Sequence, residues 1–201
     1  MIPVPVGKIL IEVRDAKKQD LDDVANLWEK LARHHEGLSD DFALAWDSKR
    51  RWSKYLHSKF SEISTKLIVA VENGKIIGFM LCMLSPNVPI YKERKLGIIS
   101  DAYVQEERRK KGVTKKMFDV AMKWFQKNKV KRVELNVASI NPEAQAVWKS
   151  LGFEPFMIYE RLYPDKLPPR PPPKVRKRVV KKKETKRKGL TQRIRFSRKS
   201  S

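Results

Sequence analysis

Between Arg108 and Lys116 the chain reads RRKKGVTKK: six cations, one hydroxyl and no anion around Gly112. The stretch follows SDAYV, an apolar strand pattern, and precedes a helical pattern. A helix start presents unpaired backbone N–H groups and the positive end of a dipole, which together make an anion site. Gly112 lacks a Cβ, so the turn can become left-handed and a ligand can approach the backbone. Thr114 stands at the expected cap. Arg109, Lys110 and Lys111 add charge suited to a phosphate or pyrophosphate. The pattern is not a P-loop, because GxxxxGK[ST] is absent. The alternative is a solvated basic turn capped by Thr114. A second candidate is Asp101, a carboxylate in an otherwise apolar strand, where burial raises a pKa toward that of a general base; its other reading is a bond to a neighbouring loop. Cys82, inside IIGFMLCML, reads as a small core residue.

The elements that must hold these residues follow from periodicity. KILIEVR opens as a strand. Asp20 caps a helix with Leu21, Val24, Leu27, Trp28 and Leu31 on one face. A second helix spans Phe42 to Phe60, with Trp46, Trp52, Tyr55 and Leu56 inward. KLIVAVENGKIIGFMLCML is a hairpin turning at Asn73-Gly74. LGIISDAYV is a strand, and Lys115 to Lys127 a helix with Met117, Val120, Ala121, Trp124 and Phe125 inward. KRVELNV is a strand. Asn141-Pro142 opens a short helix, with Ala144, Val147, Trp148 and Leu151 inward, that ends at Gly152. FMIYERLY closes as a strand. The order is β-α-α-β-β-β-α-β-α-β, a mixed α/β (α+β) single domain on a mostly antiparallel sheet.

The 201 residues carry 45 Lys+Arg against 23 Asp+Glu, a net charge of +22. That charge is uneven: residues 174–201 hold fourteen cations against Glu184 alone. The reading is a domain over 1–163, a proline-rich linker over 164–173 and a basic tail over 174–201 that cannot build a core. Such a tail suits RNA, the ribosome above all, with Leu190, Ile194 and Phe196 alternating against Arg193 and Arg195. A solvated charge run is the alternative. One cysteine excludes an internal disulfide and fits a reducing compartment, the cytoplasm. Neither a signal peptide nor a membrane span is expected, and no His/Cys/Asp cluster has metal-ligand spacing.

DAYVQEERRKKGVTKKMF resembles motif A of the GNAT superfamily of N-acetyltransferases, with Arg109, Gly112 and Thr114 on its Arg/Gln-x-x-Gly-x-Gly/Ala pattern. SINPEAQAVWKSLGFEP is similar to the family's second motif, at Asn141, Ala144, Trp148, Gly152 and Phe153. The resemblance covers about residues 8–163. It implies acetyl-coenzyme A as co-substrate, its pyrophosphate on the loop Arg109, Lys110, Lys111, Gly112, Val113, Thr114. It implies splayed central strands, with the pantetheine arm along Ala102 to Val104 and an N–H near Val104 polarising the thioester carbonyl. Asn141 has a family role near the cofactor. An amine, whether a peptide N-terminus, a lysine or a small amine, would attack directly. Two departures stand out: Thr114 replaces a small loop residue, and Trp148 replaces the tyrosine that protonates the leaving thiolate. Either Tyr103 or Tyr159 stands in, or the thiolate leaves unassisted. Asp101 would take the amine proton. Glu134 points at the sheet face or forms an edge salt bridge. His34 and His35 sit where the family's acceptor pocket forms, or are helix-end solvation. The competing reading is an RNA- or ribosome-associated binding protein on the same scaffold.

Overall fold

The computed structural model describes residues 10–166. The chain divides into two units, Met1–Phe156 and Met157–Ser201. The basic tail and most of the linker lie outside the described residues.

In the first unit, β1 (Ile11–Asp15), β2 (Thr65–Glu72), β3 (Lys75–Pro86), β4 (Lys95–Val104) and β5 (Val133–Glu134) form one sheet in the order β1-β2-β3-β4-β5. All neighbours are antiparallel except β4 and β5. The helices are α1 (Leu21–Glu36), α2 (Ser48–Phe60), α3 (Val113–Lys127) and α4 (Pro142–Ser150). This is the mixed α/β architecture expected from the sequence. The β2–β3 turn has Asn73 and Gly74 at φ 50° and 75°, as a two-residue type I′ hairpin requires.

The sheet separates two cores. On one face Leu21, Val24 and Leu27 of α1 and Leu56 of α2 pack against Leu67, Val69, Phe79, Leu81 and Tyr103. On the other, Val113, Met117, Ala121 and Phe125 of α3 cover Ile68, Ala70, Met80, Cys82, Ile99 and Val104. Burial pushes the Cys82 thiol up to about 12, so it is an inert core group.

Several sequence expectations are corrected. Asp20 does not bond the first turn of α1. Its carboxylate turns back to Lys17 N–H (2.6 Å) and pairs with Arg14 (2.6 and 3.2 Å), and the Arg14 bond holds it below its ordinary value. The second helix starts at Ser48, not Phe42, because Asp47 breaks the run; Trp46, ahead of the helix, is 91 % exposed. Helix α3 starts at Val113, so Gly112 is its N-cap and Thr114 lies inside its first turn. In α4 no residue is fully buried. β5 is two residues long rather than seven. The closing strand over Phe156–Tyr163 is not formed, and Ile158 and Tyr159 are 87 % and 80 % exposed. A strand needs a partner for its N–H and C=O groups, and none of these residues joins the sheet.

Gly97 marks where β4 and β5 still touch. Its N–H donates to the Arg132 carbonyl (3.0 Å), and its Cα pairs with Val133. Phe125 crosses here: a Cβ on Gly97 would stand 2.6 Å from Cε1 of that ring, which is 1 % exposed. Gly97→Ala is therefore expected to cost about 1–3 kcal/mol by overpacking. Urea unfolding at constant m-value measures it, and Phe125→Leu in the same chain should recover part of the loss.

Candidate active site

After Ile98 the parallel pair ends, leaving one edge of β4 without a strand partner. A register shift lies at the same place on the other side: Ile99 pairs with Cys82 and Asp101 with Leu81, so Ser100 is an extra residue. A bulge of this kind bends a strand and re-aims the residues after it. Ile99 belongs to the α3-side core. With strict alternation Asp101 would share that side. The bulge reverses the parity, and Asp101 instead takes a hydrogen bond from Trp28 of α1.

The direction of the backbone groups follows from one bond. Gln105 N–H donates to the Ile77 carbonyl (2.9 Å). Antiparallel ladders alternate, so Gln105, Tyr103 and Asp101 bond β3, whereas Ala102 and Val104 turn their N–H and C=O outward. The Val104 carbonyl indeed accepts from Arg109 Nε (3.2 Å).

Asp101 is partly buried, and burial raises its carboxyl above the ordinary aspartate value. Hydrogen bonds from Ser100 Oγ (2.5 Å) and Trp28, and the charge of His35, oppose that rise. Trp28 is itself fixed by stacking on Trp52, ring centroids 4.8 Å apart. His35 is held below its ordinary value, first by burial and then by His34. Tyr103, 8 % exposed, has its phenol pushed up by burial. With His34, Asn26, Glu29, Gln105 and Glu106 it lines a cleft of about 720 Å³ between α1 and the end of β4.

Past that end come Arg109, Lys110, Lys111 and Gly112. Lys110 and Gly112 are left-handed, φ 59° and 73°. No side chain caps α3, so its first N–H groups are free of the bond Thr114 was expected to make. A Cβ on Gly112 would meet nothing within 4 Å, so this glycine answers a backbone conformation and an open approach rather than internal packing. The Arg109 guanidinium lies 5.7 Å from the Tyr103 ring, 3.8 Å from Glu106 and 3.6 Å from Glu143. Glu143 stands in the first turn of α4, whose N-cap Asn141 accepts from Ala144 N–H (3.0 Å). Val113 is buried beneath the loop.

The structure thus gathers Asp101, Ala102, Tyr103, Val104 and the Arg109–Thr114 loop along one edge, with Asn141 on the helix that Arg109 touches. Tyr159 belongs to the second unit. Trp148 packs edge-on against Phe153 (5.6 Å) on the α3 side. Glu134 forms the edge salt bridge, with Arg132 at 2.8 Å. Sequence reasoning took Trp28 only as core; its seven-residue spacing from His35 on one helix was the available signal.

The comparisons with known proteins agree on one family. Residues 28–153 match the family described as Acetyltransferase (GNAT) family. An uncharacterized N-acetyltransferase of Archaeoglobus fulgidus is 29 % identical over 140 residues, 70 % of this chain and 90 % of the relative. A mutant of the BH1408 protein of Bacillus halodurans superposes with a TM-score of 0.67 at 25 % identity, covering 76 % of this chain and 98 % of that one. A predicted acetyltransferase of Clostridium acetobutylicum, solved with acetyl-CoA, gives a TM-score of 0.65 at 18 % identity, covering 77 % and 96 %. The chain belongs to the GNAT acetyltransferase family: it is an N-acetyltransferase whose co-substrate is acetyl-CoA. The open loop, the uncapped helix start and the outward-facing edge of β4 fit a ligand with an anionic end and an extended arm.

Gly112→Val should leave the domain folded, because a Cβ there meets nothing within 4 Å, at the cost of a strained left-handed residue. Isothermal titration should show acetyl-CoA affinity at least tenfold weaker. Unchanged affinity in the folded variant would remove the loop from the cofactor site.

Proposed function

We propose that the chain acetylates an amine by direct attack, with a peptide N-terminus or a small amine as acceptor. The observation that supports this reading is the bulge at Ser100, with Asp101 on the α1 side of β4 while Ala102 and Val104 keep their N–H groups outward. Bound acetyl-CoA supplies an acyl carbon activated by its thioester.

The chain's residues divide the work. The Arg109–Thr114 backbone and its lysines hold the phosphates, with Asn141 fixing α4 beside them. The outward groups of Ala102 and Val104 align the extended arm, and the Val104 N–H stabilises the charge developing on the carbonyl oxygen. Asp101 takes the amine proton or positions the water that does. Tyr103 retains its proton at neutral pH and lines the cleft, so it is the candidate to protonate the thiolate that Trp148 cannot serve. A thiol of ordinary pKa, about 8.5, also leaves with little help.

The base argues for the acceptor. Neutralising a lysine at pH 7 costs about 4–5 kcal/mol, an α-amine only about 1. A carboxylate raised modestly by burial suffices for the second and is stretched for the first.

Asp101→Asn should depress kcat at least tenfold while acetyl-CoA affinity stays within twofold. The wild-type kcat/KM should rise through an apparent pKa above that of free aspartate, because a raised pKa keeps the base protonated to higher pH. The Asn variant should lack that limb. Full activity across pH 6 to 9 in that variant would move the role to bulk water or to the substrate.

A second reading rests on the composition of residues 174–201. Fourteen cations against one acid support a polyanionic partner such as structured RNA. With six to ten phosphates contacted, affinity should fall roughly 10³–10⁵-fold between 50 and 200 mM salt. Equal RNA retention by the full chain and by a chain ending at Tyr163, in a low-salt filter assay, would exclude the tail.

A further inference from the structure

Ahead of α2 the chain reads FALAW, five apolar residues of which only Leu44 is partly covered. The last of them, Trp46, is 91 % exposed. A tryptophan ring is among the largest apolar surfaces a chain can bury, and here it is left in water. The turn that carries it is held at both ends. Leu44 N–H donates to Glu36 (3.0 Å), and Ser48 N–H donates to the Ala45 carbonyl (3.0 Å). The ring therefore projects from a tied backbone rather than from a loose loop.

Beside the ring stand cations fixed in place. The Arg50 guanidinium lies over the indole, 5.9 Å from its centroid, a cation–π distance. Arg50 and Arg51 both bond one carboxylate, Asp47, at 2.7 and 2.6 Å. The Asp47 side chain is 4 % exposed, the two arginine side chains 63 % and 69 %. A buried anion thus grips two guanidiniums, leaves their other N–H donors in solvent, and leaves one positive charge uncompensated. Lys54, four residues after Arg50 and so on the same helical face, is exposed as well. Helix α2 contains no acid. Its other two lysines are taken, Lys49 by Glu29 (3.0 Å) and Lys59 by Glu62 (2.8 Å). None of Trp46, Arg50, Arg51 and Lys54 lines the cleft beside Tyr103.

The chemistry of the patch selects its occupant. An acidic peptide would use the cations and leave the ring idle. An apolar surface would cover the ring and strip water from the cations without replacing it. A nucleobase on its own backbone satisfies both, since its π-face stacks on the indole and its phosphates meet the cations. Duplex DNA keeps its bases stacked inside, whereas folded RNA offers unpaired bases in loops and bulges. We propose that Trp46 and the outer face of α2 form an RNA-binding surface, on which an unpaired base stacks on Trp46 while Arg50, Arg51 and Lys54 contact the flanking phosphates. This surface belongs to the folded domain, so it stands apart from any contribution of residues 174–201, and it does not depend on acetyl transfer.

Fluorescence anisotropy of a labelled oligoadenylate strand, titrated with the full chain at low salt, tests it. Trp46→Ala should weaken binding by about fivefold or more, the loss expected for one stacked base. Trp46→Phe should recover most of that loss. For an RNA duplex, whose bases cannot reach the ring, Trp46→Ala should change affinity less than twofold. The single strand should also quench indole emission of the wild-type chain, and quench it less in Trp46→Ala. Lys54→Gln should flatten the slope of log affinity against log salt by about 0.7, one single-strand phosphate contact. Lys54 is chosen over the arginines because removing both of those would strand the buried Asp47 carboxylate. Trp46 is solvated, so its variants should keep the wild-type melting temperature; if Trp46→Ala does not fold, Trp46→Phe compared with Trp46→Leu replaces it. Three results overturn the proposal: a wild-type chain that does not bind the strand, equal strand affinity in wild type and Trp46→Ala, or an equal loss for strand and duplex.

Discussion

The extra residue at Ser100 is the constraint on which the site depends. It changes the parity of β4 between Ile99, which packs under α3, and Asp101, which looks toward α1. It coincides with the end of the β4–β5 pairing at Ile98. One irregularity therefore opens an edge and re-aims a carboxylate. A regular strand would have buried Asp101 against Met117 and Phe125, where an unpaired charge costs several kcal/mol.

The two cores hold this irregularity in place from both sides. Phe125 packs so close to Gly97 that no side chain larger than hydrogen fits between them. On the other face the Trp28–Trp52 stack pins α1 over β4. Between them β4 is packed at its start and supported at its end, where Arg109 returns to the Val104 carbonyl. The polar groups that would do chemistry sit on a strand rather than a loop, which is the more precise support.

The basic loop is less of a charge cluster than its composition suggests. Arg108 is spent on Glu72, and Arg109 on Glu106, Glu143 and the Val104 carbonyl. What remains for an anion is Lys110, Lys111 and backbone N–H groups around the left-handed Gly112. On this reading the backbone, rather than the side-chain count, would be the main determinant of anion binding at the loop. The two arginines act instead as ties between the loop and the sheet.

Much of this protein was legible in its sequence. Period-3.6 and period-2 patterns located the four helices and the main strands, because apolar spacing reports directly on which face is buried. Asn73-Gly74 and Gly112 were readable because only certain residues tolerate a left-handed backbone. The local motifs around Arg109–Thr114 and Asn141–Phe153 identified the family for the same reason: they encode turns and caps. What the sequence did not contain was anything that depends on pairing. The closing strand at Phe156–Tyr163 had the right alternation and found no partner in the sheet, and KRVELNV kept only Val133–Glu134 as strand. Asp20 had a cap's position but turned to Arg14, sixth before it. Above all, the bulge at Ser100 has no local signature, since it arises from the match between β3 and β4. The hydrogen bond from Trp28 to Asp101 then depends on how α1 crosses that sheet. Local propensity is written residue by residue; register and crossing are decided only when two distant segments meet.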